Sequence, residues 1–279
     1  MQYVRYSTGS EPQFGALVDG DIHPLSGTPL APVTVEKLAN ESYRDRVQRY
    51  VERTDGSRSV PREDANLLAP VPSPGKIVCV GLNYHDHAEE QDEEVPEKPL
   101  LFSKAATSVT NPGDPIVHPA AIEQVDYEVE LGVVIGREAR HVSAAEAREY
   151  VAGYTVVNDV SGRDAQFDDG QFFRGKSYDT FAPMGPTLVA GDFDPHTADV
   201  ALRVNGETKQ DSNTEEFIFD VDEAVSYISF LSYMIPWVLY SGKMTRSMPG
   251  RPTFMPWIIS AMFRAFARTS SRVCRRGIL

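Results

Sequence analysis

The stretch DYEVELGVVIG at residues 126–136 places two carboxylates, Glu128 and Glu130, inside an otherwise apolar run. Such a run is typical of a buried strand, in which side chains two residues apart lie on the same face. Two buried glutamates on one face repel each other unless a cation lies near them. Oxygen ligands suit hard cations such as Mg²⁺, Mn²⁺ or Ca²⁺. The alternative is a solvent-facing strand with two salt bridges, which is favoured for an isolated pair.

A third carboxylate, Asp159, ends the predicted strand GYTVVND at residues 153–159. Side chains at the end of a strand are exposed above the sheet, where ligands often bind. An Asp in this position more commonly forms an Asx turn. If Asp159 lies beside Glu128 and Glu130, the three carboxylates form a metal site.

The stretch GLNYHDHAEE at residues 81–90 contains a candidate general base. His87 and Glu90 are three residues apart, so they are neighbours on a helical turn. A carboxylate beside an imidazole orients the ring and raises its basicity. His85 would point elsewhere on such a turn. A solvated acidic loop with incidental histidines is an equally good interpretation.

The stretch RGKSYDTFAPMGP at residues 174–186 contains a candidate cation, Lys176. It follows a glycine and lies among polar and aromatic residues, where it could stabilise a developing enolate or carboxylate. For a single lysine, a surface position is the more common role.

Composition excludes several classes of protein. The 279 residues carry a net charge of −13, which argues against binding to nucleic acid or anionic membranes and fits a salt-rich cytoplasm. The chain has no signal-like N-terminus and no apolar run that could span a bilayer, so we expect a cytoplasmic protein. Cys79 and Cys274 provide neither a disulfide framework nor a CxxC metal motif. The absence of a glycine-rich phosphate loop argues against a nucleotide ligand.

Short strands predominate among the elements that would position these residues. Hairpins are predicted over 1–26, with an Asp-Gly turn, and over 200–210, with an Asn-Gly turn. Further strands are predicted over 76–84, 100–104, 128–136 and 153–159, and helices over 33–54, 141–151 and 219–231. Ser143 and Glu146 form a capping box at the second helix. We therefore expect an α+β, β-rich fold, with a small N-terminal domain over 1–70.

Five stretches in this order resemble the fumarylacetoacetate hydrolase family. They are GLNYHDHAEE, FSKAATSV, DYEVELGVVIG, NDVSGRDAQ and RGKSYDTFAPMGP. The resemblance covers about residues 76–229 and implies a catalytic domain over 71–229. It also implies a mixed β-roll, a homodimer and a divalent metal, commonly Mg²⁺.

The resemblance implies a role for each candidate residue. The metal carboxylates would be Glu128, Glu130 and Asp159, the catalytic residues His87, Glu90 and Lys176, and the substrate-binding residues Arg163, Gln166 and Tyr84. Members act on 2-oxo acids, acylpyruvates and related 1,3-dicarbonyls, which chelate the metal through a carboxylate and the adjacent keto oxygen. The implied reaction is C–C bond hydrolysis or isomerisation of the 2-hydroxyhepta-2,4-diene-1,7-dioate type. Oxaloacetate decarboxylation and 2-keto-3-deoxy sugar acid dehydration are the alternatives.

After Ser229 the resemblance ends, because the Pro-Gly-Asp turn and Thr-Gly-Thr-Pro loop of the family do not follow. Residues 224–279 contain eight of the 27 basic residues and no acidic one, so the preceding residues carry 19 basic against 40 acidic groups. We hypothesise a reading-frame change near codon 230, or a basic amphipathic tail over 230–279 that contacts a membrane or partner. Without closing strands a β-roll has an open edge. A third hypothesis is therefore an inactive relic or a scaffold.

Overall fold

A computed structural model describes residues 1–232, 234 and 237–241. In this part of the chain the β-strands are β1 (Gln2–Ser7), β2 (Gln13–Val18), β3 (Asp21–Pro24), β4 (Val60–Pro61), β5 (Asn66–Leu68), β6 (Ile77–Gly81), β7 (Leu100–Lys104), β8 (Val109–Thr110), β9 (Val125–Asp126), β10 (Val129–Ile135), β11 (Val151–Asn158), β12 (Ser161–Gly162), β13 (Ala182–Pro183), β14 (Leu188–Val189), β15 (Asp199–Val204), β16 (Glu207–Asn213) and β17 (Trp237–Ser241). The α-helices are α1 (Val35–Leu38), α2 (Glu41–Arg53), α3 (His85–Gln91), α4 (Arg163–Asp168), α5 (Phe173–Lys176) and α6 (Val221–Leu231). Short 3₁₀-helices cover Arg62–Asp64, Ala106–Ser108, Ala144–Tyr150 and Thr214–Glu216.

Most of the strands join one large sheet. Among the described residues its order is β4–β3–β2–β1–β14–β11–β10–β17–β6–β7, and β5 pairs with β1. All these neighbours are antiparallel except β17 and β6, which are parallel. Three smaller pairs, β9–β12, β8–β13 and β15–β16, lie outside it. The predicted β-rich α+β class is confirmed.

The N-terminal segment shares this sheet, because β1 pairs with both β2 and β14. The helical pattern over 33–54 forms two helices instead of one. Asn40 separates them, because its side chain accepts a hydrogen bond from the Tyr43 N–H (3.2 Å) and caps α2. Leu38, Tyr43 and Val47 then pack together in the core beneath the sheet.

Local sequence signals determine both predicted hairpins. Asp19 and Gly20 connect β2 to β3, and Asn205 and Gly206 connect β15 to β16. All four residues have positive φ, between 51° and 91°, as the tight turns of two-residue hairpins require. Both hairpin predictions are therefore confirmed.

Two capping boxes begin the helical segments beside the central strands. The box of Ser143 and Glu146 is present, but the segment that follows forms a 3₁₀-helix, a tighter form suited to a seven-residue connection. Asp220 and Glu223 form the second box, at the start of α6. The buried face of α6, which includes Ile228, packs in the same core cluster as β10.

Strand β17 lies between β10 and β6. Leu239 of β17 is opposite Val133 in β10 on one side and opposite Val78 in β6 on the other. The open edge expected after Ser229 therefore does not occur along this strand. Residues 242–279, which include Cys274, lie outside the described residues, and the hypotheses about the tail stay predictions. None of the described helices is long and apolar enough to cross a bilayer.

Gly153 in β11 provides a test of the packing between strands. A Cβ atom at this position would collide with the carbonyl oxygen of Val189 in β14 and lie 3.0 Å from its carbonyl carbon. We expect Gly153→Ala to lower the free energy of unfolding by about 1–3 kcal/mol, because backbone cannot move aside without breaking strand pairing. Urea denaturation measures this loss.

Gly81→Ala is the matched control. Its added Cβ would meet only side-chain atoms of Leu100 (3.3 Å) and Phe102 (3.5 Å), which can shift. We expect a change below about 1 kcal/mol. Equal losses in the two variants would contradict the packing argument.

Candidate functional site

The residues just before β10 and just after β11 bring Glu128 and Asp159 together. The Asp159 N–H donates to the Glu128 carbonyl oxygen (2.7 Å), and the Glu128 N–H donates to Asn158 Oδ1 (3.0 Å). Glu130 follows two residues later on the same face of β10. The side chains of Glu128, Glu130 and Asp159 are at most 1% exposed. The solvent-facing alternative for the two glutamates is therefore wrong.

Lys176 lies between two of these carboxylates. Its ammonium is 2.7 Å from Glu128 Oε2 and 2.8 Å from Asp159 Oδ2. The lysine is 1% exposed, and its Nζ lies 5.1 Å from the centre of the Phe102 ring. The surface alternative for Lys176 is wrong, because the residue is one of the buried charges of the site.

Gly175 allows Lys176 to reach this position. A Cβ on Gly175 would lie 2.7 Å from the Gln166 nitrogen and 2.8 Å from the Gly162 carbonyl oxygen. Helix α5 therefore packs directly on the backbone of α4, which only glycine permits. The sequence GK at 175–176 is in this sense a positioning signal.

Arg163 provides a second buried cation. Its guanidinium contacts Glu128 Oε1 at 2.5 Å and Asp126 Oδ2 at 2.9 Å. Its Nη1 also donates to Gln166 Oε1 (2.9 Å), so Arg163 and Gln166 lie together beside the carboxylates, as the resemblance implies. Asp126 is a further member of this group that the sequence did not single out.

Lys104, which the sequence did not single out either, provides a third cation. It lies at the end of β7, and its ammonium is 2.5 Å from Asp159 Oδ1 and 2.9 Å from the Val160 carbonyl oxygen. The sequence did contain a signal for this ion pair, because a charged residue ends the apolar strand LLFSK. A charge that is buried with such a strand needs a partner of opposite charge. We call Glu128, Glu130, Asp159, Lys104, Lys176 and Arg163 the buried charge cluster.

The ion pairs of this cluster shift the pKa values of its members. Burial raises the pKa of Asp159, but Lys104 and Lys176 hold it below its ordinary value. Burial lowers the pKa of Lys176, but Asp159 and Glu128 raise it above its ordinary value. Burial likewise opposes the charge of Arg163, and Glu128 and Asp126 raise its pKa. These three groups are therefore charged at neutral pH.

Helix α3 carries the predicted proton-transfer residues. His87 is 1% exposed, and its Nδ1 lies 3.8 Å from Glu90 Oε2, too far for a hydrogen bond. The side chain of Glu90 is 62% exposed, and His85 is exposed, as expected. The structure brings His87 and Glu90 side by side, but with only His87 inside the protein.

Tyr84 lies at the N-cap of this helix. It is fully buried, and its ring contacts Phe217 edge to face (4.8 Å between centroids). Burial raises the pKa of its hydroxyl well above the ordinary value, and Glu130 and Asp86 raise it further. Tyr84 is therefore a neutral, buried hydroxyl.

The loop before α3 is anchored to the segment before α6. The side chain of Asn83 accepts from the Phe219 N–H (2.8 Å) and donates to the Phe219 carbonyl (2.9 Å). The Ile218 N–H donates to the Asn83 carbonyl (2.9 Å). Ser212 in turn donates to Asp86 (2.8 Å). These bonds position His87 independently of the buried charge cluster.

The donor set of the cluster fits a hard divalent cation, because Glu128, Glu130 and Asp159 offer only buried carboxylate oxygens. Lys176 lies between two of the carboxylates. The metal assignment of the three residues stays a prediction.

A second group, His196, Asp220 and Asp222, does present ligand atoms within 4.8 Å of one another among the described residues. Arg148 lies against this group, because its Nε is 3.1 Å from Asp222 Oδ2 and its Nη2 is 3.3 Å from His196 Nδ1. Asp220 caps α6 through the Glu223 N–H (2.8 Å). The group is an ion-pair network around an arginine, so it is a poor metal site.

A cavity of about 590 Å³ lies elsewhere, between α2 and the middle of β11. Its lining mixes arginines such as Arg44 and Arg137 with acidic residues such as Glu41 and Asp192. None of the nine predicted site residues lines it. We therefore place the candidate site at the buried charge cluster, where the reactive groups are.

Comparison with known families supports this location. Residues 76–236 match the family model described as fumarylacetoacetate (FAA) hydrolase C-terminal, and residues 1–70 match the Rv2993c-like N-terminal model. The first match includes every residue of the cluster and of α3. It extends seven residues beyond Ser229, where the resemblance seen in the sequence ended.

Individual relatives are similar over different lengths. The mitochondrial oxaloacetate tautomerase Fahd2a of Rattus norvegicus is 44% identical over 180 residues, which are 63% of this chain and 58% of the relative. The chain thus spans less than two thirds of that protein. A 2-hydroxyhepta-2,4-diene-1,7-dioate isomerase structure from Mycobacterium marinum is 32% identical, with a TM-score of 0.71 and 89% of each chain covered.

A third relative is the fumarylacetoacetate hydrolase of Exiguobacterium antarcticum. Its structure is 34% identical, with a TM-score of 0.73, and the similarity covers 87% of this chain and 86% of that one.

The expectations of a homodimer, a cytoplasmic location and a salt-rich cytoplasm stay predictions. The family match over more than half of the sequence shows that the chain belongs to the fumarylacetoacetate hydrolase family.

Proposed function

We propose that this chain is a divalent-metal-dependent enzyme that interconverts keto and enol, or double-bond, isomers of 2-oxo dicarboxylic acids. The observation that carries the proposal is the Lys176 ammonium held between two buried carboxylates, 2.7 Å from Glu128 and 2.8 Å from Asp159. A fixed cation in a water-excluded site stabilises negative charge far more strongly than one in water. Enolisation places such a charge on the former keto oxygen.

The relatives support this choice of reaction. One is named an oxaloacetate tautomerase and another a 2-hydroxyhepta-2,4-diene-1,7-dioate isomerase. Both names describe an isomerisation of a dicarboxylic acid that carries a 2-oxo or 2-hydroxy group. Oxaloacetate decarboxylation, which also passes through an enolate, fits the relatives equally well, because one of them is named for oxaloacetate. The two names do not mention 2-keto-3-deoxy sugar acids.

Each group of residues in the site has a separate role in the proposed reaction. Glu128, Glu130 and Asp159 would hold the metal, which when bound polarises the keto oxygen of the substrate. Lys176 stabilises the negative charge that develops on that oxygen. Arg163, which is hydrogen-bonded to Asp126 and Gln166 and paired with Glu128, attracts a substrate carboxylate to the site through its positive charge.

His87 moves the proton. Its Nδ1 faces Glu90, so Nε2 is the atom that exchanges a proton with the substrate carbon. The ring is 1% exposed, which keeps bulk water away from the carbanion. Tyr84, a neutral and fully buried hydroxyl, donates a hydrogen bond to the substrate.

A second candidate reaction is hydrolysis of a C–C bond in acylpyruvates. It is favoured by one observation, the His87–Glu90 pair, because such a pair can activate water. The 3.8 Å distance and the exposure of Glu90 make this candidate the weaker one for the geometry described here.

Exchange of the C3 protons of oxaloacetate in D₂O, followed by NMR, tests the enolisation proposal directly. With Mg²⁺ we expect exchange well above the rate of metal and substrate alone, and loss of this excess after chelation with EDTA. We expect Lys176→Met to lower kcat by about 10²–10³-fold, because the fixed positive charge is lost. Arg174→Met, two residues away in an exposed ion pair, is the control and should retain the rate. Equal effects of the two variants, or exchange that survives EDTA, would contradict the proposal.

Glu90→Gln separates the two candidate reactions. Because Glu90 is exposed and not hydrogen-bonded to His87, we expect its substitution to change enolisation by less than about tenfold, whereas His87→Ala lowers it by about 10²–10⁴-fold. If hydrolysis is the reaction, both variants should abolish cleavage of acetylpyruvate to acetate and pyruvate. His85→Ala on the same helix is the control for changes in α3 itself.

A further inference from the structure

Lys104 is a buried lysine whose contacts are those of a residue that orients its neighbours. It is 3% exposed at the end of β7, on a strand at the edge of the sheet order among the described residues. Its ammonium reaches across to the turn after β11, where it contacts Asp159 Oδ1 (2.5 Å) and the Val160 carbonyl oxygen (2.9 Å). One cation therefore binds a side chain and the backbone of the next residue.

The two oxygens of Asp159 have different partners. Lys104 binds Oδ1, and Lys176 binds Oδ2, the oxygen on the side of Glu128. Lys104 thus holds the oxygen of Asp159 that Lys176 does not bind.

We propose that Lys104 is a positioning residue that fixes the plane of the Asp159 carboxylate, so that Oδ2 stays on the side of Lys176 and Glu128. The inference rests on the proposed function, in which Asp159 is a metal carboxylate. It assigns Lys104 no contact with substrate.

The physical reason is the freedom of a carboxylate. The terminal torsion of Asp has a broad energy profile, so packing alone does not fix the orientation of its oxygens. Lys104 holds one oxygen and the adjacent backbone carbonyl at once, which fixes both the torsion and the turn. Groups that orient metal-binding side chains in this way typically change metal affinity by about 10–100-fold when they are removed.

Mn²⁺ binding, measured by EPR and calorimetry without substrate, tests this role. Lys104→Met keeps the length of the side chain but removes its charge and its hydrogen-bond donors. We expect this variant to weaken Mn²⁺ binding by about 10–100-fold. Steady-state kinetics should show a raised activation constant for Mn²⁺, with the KM for oxaloacetate at saturating Mn²⁺ changed by less than about threefold. Lys37→Met, which makes the same chemical change on α1, should bind Mn²⁺ like the wild type.

A second variant guards against loss of folding. Lys104→Arg keeps a buried cation but moves its donors, so we expect a folded protein with Mn²⁺ affinity between those of the wild type and Lys104→Met. Wild-type Mn²⁺ affinity in folded Lys104→Met would overturn the inference. The inference would also be overturned if Lys104→Met failed to fold while Lys104→Arg bound Mn²⁺ with wild-type affinity. Lys104 would then contribute to stability alone.

The outcomes for this inference and for the proposed function differ. Absence of Mn²⁺ binding in the wild type and in Lys37→Met would remove the proposed function, and the inference with it. Mn²⁺ binding and enolisation in the wild type with unchanged Mn²⁺ affinity in folded Lys104→Met would remove only the role of Lys104.

Discussion

The pairing of buried charges is the constraint on which the rest of this structure depends. Three carboxylates at most 1% exposed are tolerable only if cations accompany them, since a buried pair that loses one partner typically costs about 3–5 kcal/mol. The cations come from three segments far apart in sequence: Lys104 ends β7, Arg163 begins α4 and Lys176 ends α5. Each of these segments must therefore fold against β10 and β11. The cluster thus acts as a cross-link that specifies where short, weakly determined elements lie.

Helix α3 obeys a different constraint. Its position depends on neutral hydrogen bonds from Asn83 to the backbone of Ile218 and Phe219, and on Ser212 binding Asp86. His87 and the buried charge cluster therefore belong to two separately anchored parts. In the proposed function the substrate lies between them, so we expect changes in the segment that anchors α3 to alter selectivity while leaving the charge cluster intact.

Local signals in the sequence predicted local structure well. Asp19-Gly20 and Asn205-Gly206 need no tertiary context to form their turns, and the capping box of Ser143 and Glu146 is an interaction within four residues. The helical spacing over 33–54 predicted one helix and missed its division at Asn40. In the structure the Asn40 side chain caps α2 and interrupts the helix. Lys104 was missed for another reason: its partner is 55 residues away, and no spacing within LLFSK reveals it. The roles of Arg163, Gln166 and Tyr84 came from the family resemblance, since their individual contexts are ordinary.

The two parts of the site also explain why one family includes tautomerases, isomerases and hydrolases. In the proposed function each reaction passes through an enolate, which the buried charge cluster stabilises. Only hydrolysis needs, in addition, a base that holds water. In this chain His87 is enclosed while Glu90 is 62% exposed and 3.8 Å away, so the geometry favours proton transfer by the imidazole over activation of water by the pair. The hydrogen bonds of Asn83 and Asp86 hold α3 in this arrangement. We therefore propose that these bonds, and not the buried charges, select among the reactions.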